Sequence, residues 1–380
     1  MTDHSDPFAP SSGVPVKAAA SPDWLALRDE VTQRWELAGH EVKAALEQTL
    51  VVAFLGSASS GKDSAIKALF GMDFGQIDPI PGSTDRVRVA PVDAQRQVHV
   101  VNAPGFGDLR TSVQLQAESV LEQLDIAVYV VNADGGATID EKNDLDRIRA
   151  LNRPTLVCFN KIDLIRPEQR DAHIKASLVQ LGVSDDQAVV TAFDPMPALS
   201  PDPIGVEAVI HWIHHQLKDS GKALLFAKNL RNKTAACEPI IQAAAKRAAL
   251  AGALPIPGAD MTAVMAVQVG MITEIAAVFD RQIDQEVILF VIAEALAGST
   301  KGFVRWAVNA VKAAGLLPGG QVATMATSAL GATIAGATTY GVGKAAIAFL
   351  QNDGKLTGAQ LRDVFDSEAF KYHERVDKSS

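Results

Sequence analysis

The chain has 380 residues, 48% of them hydrophobic and 21% charged, which excludes a disordered protein and gives enough length for two domains. Its 35 Lys+Arg and 44 Asp+Glu residues give a formal net charge of −9. Non-specific electrostatic binding of nucleic acid is therefore not expected. Cys158 and Cys237 form no disulfide framework or metal-binding spacing, and the acidic N-terminus lacks the apolar segment of a secretory signal. These features predict a reduced, cytoplasmic compartment.

The N-terminal part predicts a leader followed by one helix. Residues 1–21 are rich in Pro, Ala, Ser and Asp without periodicity, which is typical of a disordered segment. Over residues 22–47, apolar side chains such as Trp24, Val31 and Trp35 recur at spacings of three and four, so we expect an amphipathic helix. We interpret its apolar stripe as docking on the protein's own body rather than on a membrane or a partner.

Residues 48–220 alternate between short apolar runs and helical patterns, which predicts an α/β domain. The strand candidates are almost continuously apolar, so we expect a mostly parallel sheet that is buried under helices on both faces. They are Leu50–Leu55, Val98–Val101, Ile126–Val131, Thr155–Phe159 and Ala188–Val190. Because ligands of such sheets bind at the carboxyl ends of the strands, the loops that follow these runs are the candidate sites.

A glycine-rich loop follows the first strand candidate and precedes a helical pattern that reaches Leu69. The order strand, GxxxxGK and helix is that of a P-loop, in which backbone N–H groups and the lysine bind nucleotide phosphates. The predicted phosphate-binding residues are Gly56, Ser57, Ala58, Ser59, Ser60, Gly61, Lys62, Asp63 and Ser64. Asp63 stands where the pattern has Ser or Thr, and its carboxylate is an oxygen ligand that also suits Mg²⁺.

A second motif, Asn160-Lys161-Ile162-Asp163, follows the fourth strand candidate. The carboxylate of Asp163 can accept two hydrogen bonds from guanine, whereas adenine offers no such pair of donors, so GTP is favoured over ATP. Asn160 is expected to bridge neighbouring loops, and the aliphatic stem of Lys161 to cover the base. Thr191 and Ala192, after the last strand candidate, are predicted to supply a backbone N–H to the guanine oxygen.

Taken in order, the motifs resemble the five G-boxes of translation-factor-class GTPases. They are Gly56–Lys62, Thr84, Asn102–Gly105, Asn160–Asp163 and Thr191–Ala192. The run PGSTDR at residues 81–86 is similar to switch I of Era-like and TrmE-like GTPases, with its Asp and Arg reversed. The resemblance covers residues 48–220 and implies binding of GTP or GDP with Mg²⁺. It also implies that Thr84 and Gly105 are the catalytic switch residues at the γ-phosphate, and that Asp63, Thr84 and Asn102 surround the metal.

The switch motifs depart from the family pattern at two further positions. Asn102 stands where switch II has an Asp, and Phe106 stands where Ras-like proteins have a water-orienting Gln. An apolar side chain cannot orient water by hydrogen bonding, so we expect slow hydrolysis that dimerisation or a partner stimulates. Two interpretations of Asp63 and Asn102 stay open: the carboxylate of the metal site has changed sides, or the metal site is weakened.

Beyond residue 220 the strand pattern stops, and residues 221–352 predict an apolar all-α domain. The run Pro255–Asp260 and the helix after it resemble the YcjF-type C-terminal domain of unknown function. Residues 313–343 carry no charge, which leaves open membrane insertion and a soluble bundle with buried helices; we favour the bundle. Residues 353–380 predict a charged tail with a short helix over Thr357–Phe370.

These observations favour a nucleotide-dependent switch in which a helix around residues 220–235 passes the change of state to the helical domain. A non-hydrolysing, membrane-associated scaffold that binds GTP or GDP is the alternative from a different class, and an ATP-using P-loop enzyme is a lesser one. The expected partners are a guanine nucleotide, a second copy of the chain through the G domains, and a membrane or helical protein at residues 240–350. Peripheral attachment to the inner membrane stays open.

Overall fold

The computed structural model describes residues 22–73, 88–103, 123–253, 259–297 and 320–379. The predicted leader, Thr84, Gly105 and Phe106 lie outside these residues. The chain divides into two compact units, of which one is Ala45–Ala236 and the other combines Met1–Ala44 with Cys237–Ser380. The first unit thus extends past the domain boundary that we expected at residue 220, and the N-terminal helix is grouped with the C-terminal helices.

The strands, in chain order, are β1 Leu50–Leu55, β2 Arg88–Pro91, β3 Val98–Asn102, β4 Ile126–Asn132, β5 Thr155–Asn160 and β6 Ala188–Val190. The helices are α1 Pro22–Leu46, α2 Lys62–Phe70, α3 Ile139–Arg149, α4 Pro167–Leu181, α5 Val206–Leu217, α6 Ala223–Asn229, α7 Lys233–Gly252, α8 Ala259–Val278, α9 Gln285–Ala297, α10 Gly320–Gln351 and α11 Gly358–Ser379.

The unit Ala45–Ala236 is built on a six-stranded sheet in the order β2-β3-β1-β4-β5-β6. Strands β3, β1, β4, β5 and β6 pair in parallel, and only β2 pairs in the antiparallel direction. The mostly parallel sheet predicted from the sequence is therefore confirmed. The edge strand β2 was missed because it is short and begins with the exposed residues Arg88 and Val89, so it has no buried apolar run.

The sheet places the candidate site at the carboxyl end of β1. This strand lies between β3 and β4. After β1 the chain first forms β2 and β3 on one side of β1, and then β4, β5 and β6 on the other side. Phe54 on β1, Tyr129 on β4 and Phe159 on β5 are completely buried, as expected for strands covered on both faces. A crevice for a ligand forms where the chain changes sides in this way.

The second unit is all-helical where it is described, as the sequence predicts. The docked stripe of α1 includes the buried residues Val31 and Ala38, and Thr32 Oγ1 of this helix donates to Gln285 Oε1 at 2.6 Å. Glycines allow close helix packing: a Cβ at Gly343 on α10 would stand 2.8 Å from Ile241. Among the residues that the structure describes, no helix has both the length and the apolar character required to span a bilayer.

A half-buried polar cluster joins helices α7, α10 and α11 within this unit. We call Glu238, Gln242, Tyr340, Lys344 and Arg375 the Glu238 cluster. Glu238 accepts hydrogen bonds from Lys344 at 2.5 Å, Tyr340 at 2.8 Å and Gln242 at 3.1 Å. Burial alone would raise the pKa of Glu238, but the hydrogen bonds from Lys344 and Tyr340 outweigh it and hold that pKa below its usual value.

Helix α11 is longer than the short helix predicted over Thr357–Phe370. Its C-terminal half contributes to the Glu238 cluster, because Arg375 Nη2 donates to Tyr340 Oη at 3.1 Å. The ring of Tyr372 also stacks on the ring of Tyr340, with 4.6 Å between the centroids. These contacts of Tyr372 and Arg375 with α10 accompany the extension of α11 beyond Phe370. The local apolar pattern of the tail could not reveal them.

Candidate nucleotide site

The loop between β1 and α2 has a backbone that requires glycine at both ends. Gly56 has φ 140° and Gly61 has φ 102°, values that residues with a side chain rarely adopt. A Cβ at Gly56 would also collide with the carbonyl oxygen of Val130, and one at Gly61 would collide with the side-chain amide of Asn160. The two glycines therefore bring this loop directly against the ends of β4 and β5.

Lys62 begins α2 and is held across the loop by the backbone carbonyls of the loop. Its side chain is almost completely buried, and Nζ donates to Gly56 O at 2.9 Å and to Ser57 O at 2.8 Å. The ammonium group thus lies beside the N-terminus of α2, where backbone N–H groups and the helix dipole also attract anions. The arrangement brings a positive charge and backbone N–H groups together, as the binding of phosphate groups requires.

A buried carboxylate, which the sequence analysis missed, supports this loop. Glu141 Oε1 accepts a hydrogen bond from Ser57 Oγ at 3.1 Å, and its Oε2 accepts one from the backbone N–H of Thr138 at 2.9 Å. Thr138 Oγ1 accepts in return from the N–H of Glu141, which completes a capping box at the start of α3. The spacing of Thr138 and Glu141 is readable in the sequence, but the contact with the P-loop is not.

Asn160, the last residue of β5, connects the P-loop with the loop after β6. It is 2% exposed, and its Nδ2 donates to Ser60 O at 2.8 Å. Its Oδ1 accepts from the backbone N–H of Phe193 at 3.0 Å and from Thr191 Oγ1 at 3.4 Å. The side chain therefore has the bridging position that the sequence predicts for it.

Asp163 lies in the short 3₁₀ turn Ile162–Leu164 after β5 and is buried. One carboxylate oxygen, Oδ2, accepts the backbone N–H of Met196 at 3.1 Å, which fixes the orientation of the group. Lys161 precedes the turn with φ 66°, a left-handed conformation that is uncommon for a residue with a side chain. The chain thus bends sharply at Lys161 in order to bring Asp163 to this edge of the sheet.

The backbone N–H groups of Thr191 and Ala192 are engaged inside the unit. The N–H of Thr191 donates to Phe159 O at 2.8 Å, and that of Ala192 donates to Ile204 O at 3.0 Å. Sheet-like pairing thus continues past β6, where Ala192 and Ile204 form an isolated antiparallel bridge. That one of these N–H groups binds a guanine oxygen stays a prediction.

Asp63 and Asn102, two of the predicted metal ligands, are in contact in the structure. Asp63 lies in the first turn of α2 and Asn102 ends β3. Asn102 Nδ2 donates to Asp63 Oδ1, while Asn102 Oδ1 is buried and accepts no hydrogen bond from the described part of the chain. Ser64, the next residue of α2, is half-buried. Thr84, the third predicted metal ligand, and Gly105 lie outside the described residues.

A parallel sheet with a P-loop after its central strand and an Asn-Lys-x-Asp motif two strands away defines a P-loop GTPase domain. Residues 51–161 match the family model described as 50S ribosome-binding GTPase, and residues 220–368 match the one described as Domain of unknown function (DUF697). The chain thus combines a P-loop G domain with a C-terminal DUF697 domain, as the resemblance to YcjF-type proteins implied.

Known relatives are similar to the G domain. The probable GTP-binding protein EngB of Myxococcus xanthus is 29% identical over 178 residues, which cover 43% of this chain and 83% of that protein. GTPase Der of Streptomyces coelicolor is 31% identical over 118 residues, which cover 30% of this chain and 25% of that protein. The chain therefore spans most of the EngB relative but only about a quarter of Der.

Among solved structures, a probable GTP-binding protein engB has 20% sequence identity and a TM-score of 0.34, and the match covers 44% of this chain and 99% of that one. Era of Aquifex aeolicus bound to GDP·AlF4⁻ has 19% identity and a TM-score of 0.32, with 44% of this chain and 66% of that one covered.

Proposed function

We propose that this protein is a guanine-nucleotide-dependent switch whose G domain binds GTP or GDP with Mg²⁺ and whose helical domain responds to the bound nucleotide. The observation that carries the proposal is the bridging amide of Asn160. It joins Ser60 of the phosphate loop to the loop that holds Thr191 and Phe193. The phosphate side and the base side are thereby parts of one prearranged site, which suits a complete nucleotide better than an isolated phosphate.

Guanine recognition rests on Asp163. Its oriented carboxylate has acceptor capacity beyond the single hydrogen bond from Met196, and guanine presents two adjacent N–H donors that a carboxylate can accept. Adenine presents no such pair in its place. Lys62 would hold the phosphates at the other end of the nucleotide, and Mg²⁺ when bound would neutralise part of the phosphate charge.

The route toward the helical domain begins at the far end of α2. This helix starts at Lys62 and ends at Phe70, whose ring packs edge-on against Phe226 of α6 with 6.0 Å between the centroids. The backbone N–H of Arg231 donates to Leu69 O at 2.8 Å. We call these contacts between α2 and residues 226–231 the α2 anchor. A shift of α2 on exchange of GTP for GDP would be passed through this anchor toward α7.

A second attachment holds the start of α6 to the sheet. Lys222 Nζ donates to Asp125 Oδ1 at 2.6 Å, and Asp125 Oδ2 accepts the backbone N–H of Val51 at the beginning of β1. Both side chains of the ion pair are about one-fifth exposed, so solvent screens the pair less than a pair on the open surface. The segment after the G domain is thus fixed to it at two places, which supports a role in relaying its state.

Slow hydrolysis that a partner or a second copy stimulates is also part of the proposal. Phe106 follows Gly105 in the sequence where Ras-like proteins carry Gln, and a phenyl ring cannot orient an attacking water. We place the protein in the cytoplasm, with peripheral attachment to the inner membrane through the helical domain. Single-turnover GTP hydrolysis and fractionation of cells into soluble and membrane pools test these two parts.

The nucleotide preference is tested first by calorimetry, in which GDP and GTP should bind the intact protein and ADP and ATP should not compete. The Asp163→Asn variant supplies the sharper test. An amide donates where the carboxylate accepts, so GDP affinity should fall by about 100-fold or more. Affinity for xanthosine diphosphate, whose ring carbonyl accepts a hydrogen bond at the same place, should rise instead.

The matched control is Asp202→Asn, the same substitution at an exposed residue of this unit, which should leave both affinities unchanged. Binding of adenine nucleotides by the wild type, or an unchanged preference in the Asp163→Asn variant, would overturn the assignment of a guanine site.

A further inference from the structure

We infer that the divalent cation of this site is held by the carboxylate of Asp63 together with the amide oxygen of Asn102. The negative charge of the metal site would then lie on the P-loop helix rather than at the end of β3. This inference rests on the proposed function, because the cation is the one that accompanies the nucleotide. It concerns which residues of this chain bind that cation, and what their exchange does to nucleotide binding.

The first observation is the buried amide of Asn102. This residue is 1% exposed, and its Nδ2 donates a hydrogen bond to Asp63 Oδ1. Its Oδ1 is buried and has no hydrogen-bond donor among the described residues. A buried acceptor without a partner is unfavourable by about 1–3 kcal/mol, and natural structures contain few of them. A bound cation would satisfy this oxygen.

The second observation is the position of Asp63. It follows Lys62 directly in the first turn of α2 and is half-buried, so its carboxylate lies beside the phosphate-binding loop. Mg²⁺ is usually bound by one or two carboxylates together with phosphate oxygens and several waters. Asp63 provides one carboxylate, Asn102 provides a neutral oxygen, and the nucleotide would provide the remaining negative charge.

The number of carboxylates at the site supports an exchange of roles between the position after the lysine and the start of switch II. The family pattern has a hydroxyl after the lysine and a carboxylate at the start of switch II. This chain has a carboxylate at Asp63 and an uncharged amide at Asn102. The total is one carboxylate in both cases, and the direct contact between the two side chains shows that they share one place in the fold.

A simpler account of Asp63 is that an acidic residue stabilises the N-terminus of a helix through the helix dipole. That effect is worth about 0.3–1 kcal/mol. It accounts for Asp63 alone, however, and leaves both the unpartnered oxygen of Asn102 and the contact between the two residues unexplained. The cation accounts for all three observations.

The exchange has a measurable consequence for nucleotide binding. A carboxylate on the P-loop helix repels the phosphates when no cation lies between them, and such repulsion is strong where water is partly excluded. GDP and GTP should therefore bind tightly with Mg²⁺ and poorly without it. We expect the affinity for a fluorescent GDP analogue to fall by about 100-fold when EDTA replaces Mg²⁺.

The experiment measures the ratio of the affinity for the GDP analogue in Mg²⁺ to its affinity in EDTA. It is measured in the full-length protein and in three variants. Asp63→Ser removes the carboxylate of this pair, so the ratio should fall to about 10-fold or less, chiefly because binding in EDTA improves. Asn102→Asp places two carboxylates in the site and should make binding in EDTA weaker still. The double variant Asp63→Ser/Asn102→Asp restores one carboxylate and should restore the large ratio.

The matched control is Asp73→Ser, the same substitution at an exposed carboxylate shortly after α2 that pairs with Lys67, and it should behave as the wild type. Circular dichroism checks folding, and Asp63→Asn, which retains the volume of the side chain, replaces Asp63→Ser if the latter does not fold. Electron paramagnetic resonance of Mn²⁺ with GDP gives a second measurement, in which the Asp63 variants should bind Mn²⁺ more weakly.

An Asp63→Ser protein with the wild-type ratio and wild-type Mn²⁺ binding would overturn the inference. A wild-type protein that binds guanine nucleotides selectively but equally well with Mg²⁺ and with EDTA would overturn it too, while leaving the proposed function intact. A wild-type protein without any guanine preference would instead contradict the proposed function.

Discussion

The two units of this protein use buried polar side chains in different ways. In the sheet unit, the side-chain oxygens of Ser60 and Asn102 are buried at the carboxyl ends of the strands without a partner among the described residues. In the helical unit, Glu238 accepts three hydrogen bonds from its own neighbours, although Asp366 Oδ1 on α11 is also buried without a partner among the described residues. Unpartnered acceptors beside a P-loop indicate the place of a ligand, whereas a polar group whose bonds are satisfied internally indicates architecture.

The difference follows from the two folds. Parallel strands end at one edge, where several loops meet and side chains from β3, β5 and α2 converge around an opening. Packed helices approach each other along their lengths, so a polar side chain such as Glu238 meets partners on neighbouring helices rather than an open crevice. Substitutions at the nucleotide site should therefore affect ligand binding, and substitutions in the Glu238 cluster should affect stability. The first two predictions that follow test this contrast, and the third concerns stability away from the nucleotide site.

The largest effect is expected for Gly61→Ala in the sheet unit. Alanine is strained at φ 102°, and its Cβ would displace the amide of Asn160, so the link between the two sides of the site would be lost. We expect GDP affinity to fall by about 100-fold, equal to about 2.7 kcal/mol. The control is Gly270→Ala in α8, where a Cβ meets nothing and helix propensity predicts a gain of about 0.5–1 kcal/mol in stability. Equal GDP affinities of the two variants would contradict the contrast.

A smaller effect is expected for Glu238→Gln in the helical unit. Lys344 would lose the carboxylate that it contacts at 2.5 Å in a half-buried position, which should lower the free energy of unfolding by about 2 kcal/mol with little change in GDP affinity. Asp146→Asn in the exposed pair with Lys142 is the control and should leave stability almost unchanged. Urea denaturation measures both, and a loss of GDP binding without a loss of stability would mean that the cluster is functional.

The smallest effect concerns His214 on α5 of the sheet unit. Burial, together with the nearby His211, Lys218 and His215, lowers the pKa of His214 to about 4. The unfolded chain, with an ordinary value near 6.5, takes up a proton first as the pH falls. Stability should therefore decrease between about pH 6.5 and pH 4, by on the order of 2 kcal/mol, and not decrease further from this group below that range.

The variant His214→Gln should lose this part of the pH dependence, whereas His215→Gln, at an exposed neighbour, should retain it. Thermal unfolding at several pH values between 4 and 8 distinguishes them. Identical pH profiles for the wild type and His214→Gln would show that another group titrates in this range.

The sequence predicts the parallel strands and the P-loop well because both depend on local patterns. Apolar runs predicted the first residues of β1 and of β3 to β6. The spacing of Gly56, Gly61 and Lys62 predicted the position of the P-loop. The features that were missed depend on contacts between distant segments: the support of Ser57 by Glu141, the pairing of Ala192 with Ile204, and the length of α11. Such contacts have no local pattern, since only the folded chain brings the two partners together.

The α2 anchor also shows that homology and folding divide this chain differently. The match to the domain of unknown function begins at residue 220, yet the aromatic ring of Phe226 completes the hydrophobic interior against Phe70, which in turn packs on Phe54. A G domain separated at residue 220 would expose these rings to water. An autonomous nucleotide-binding fragment would therefore have to include the first residues of the segment that matches the domain of unknown function.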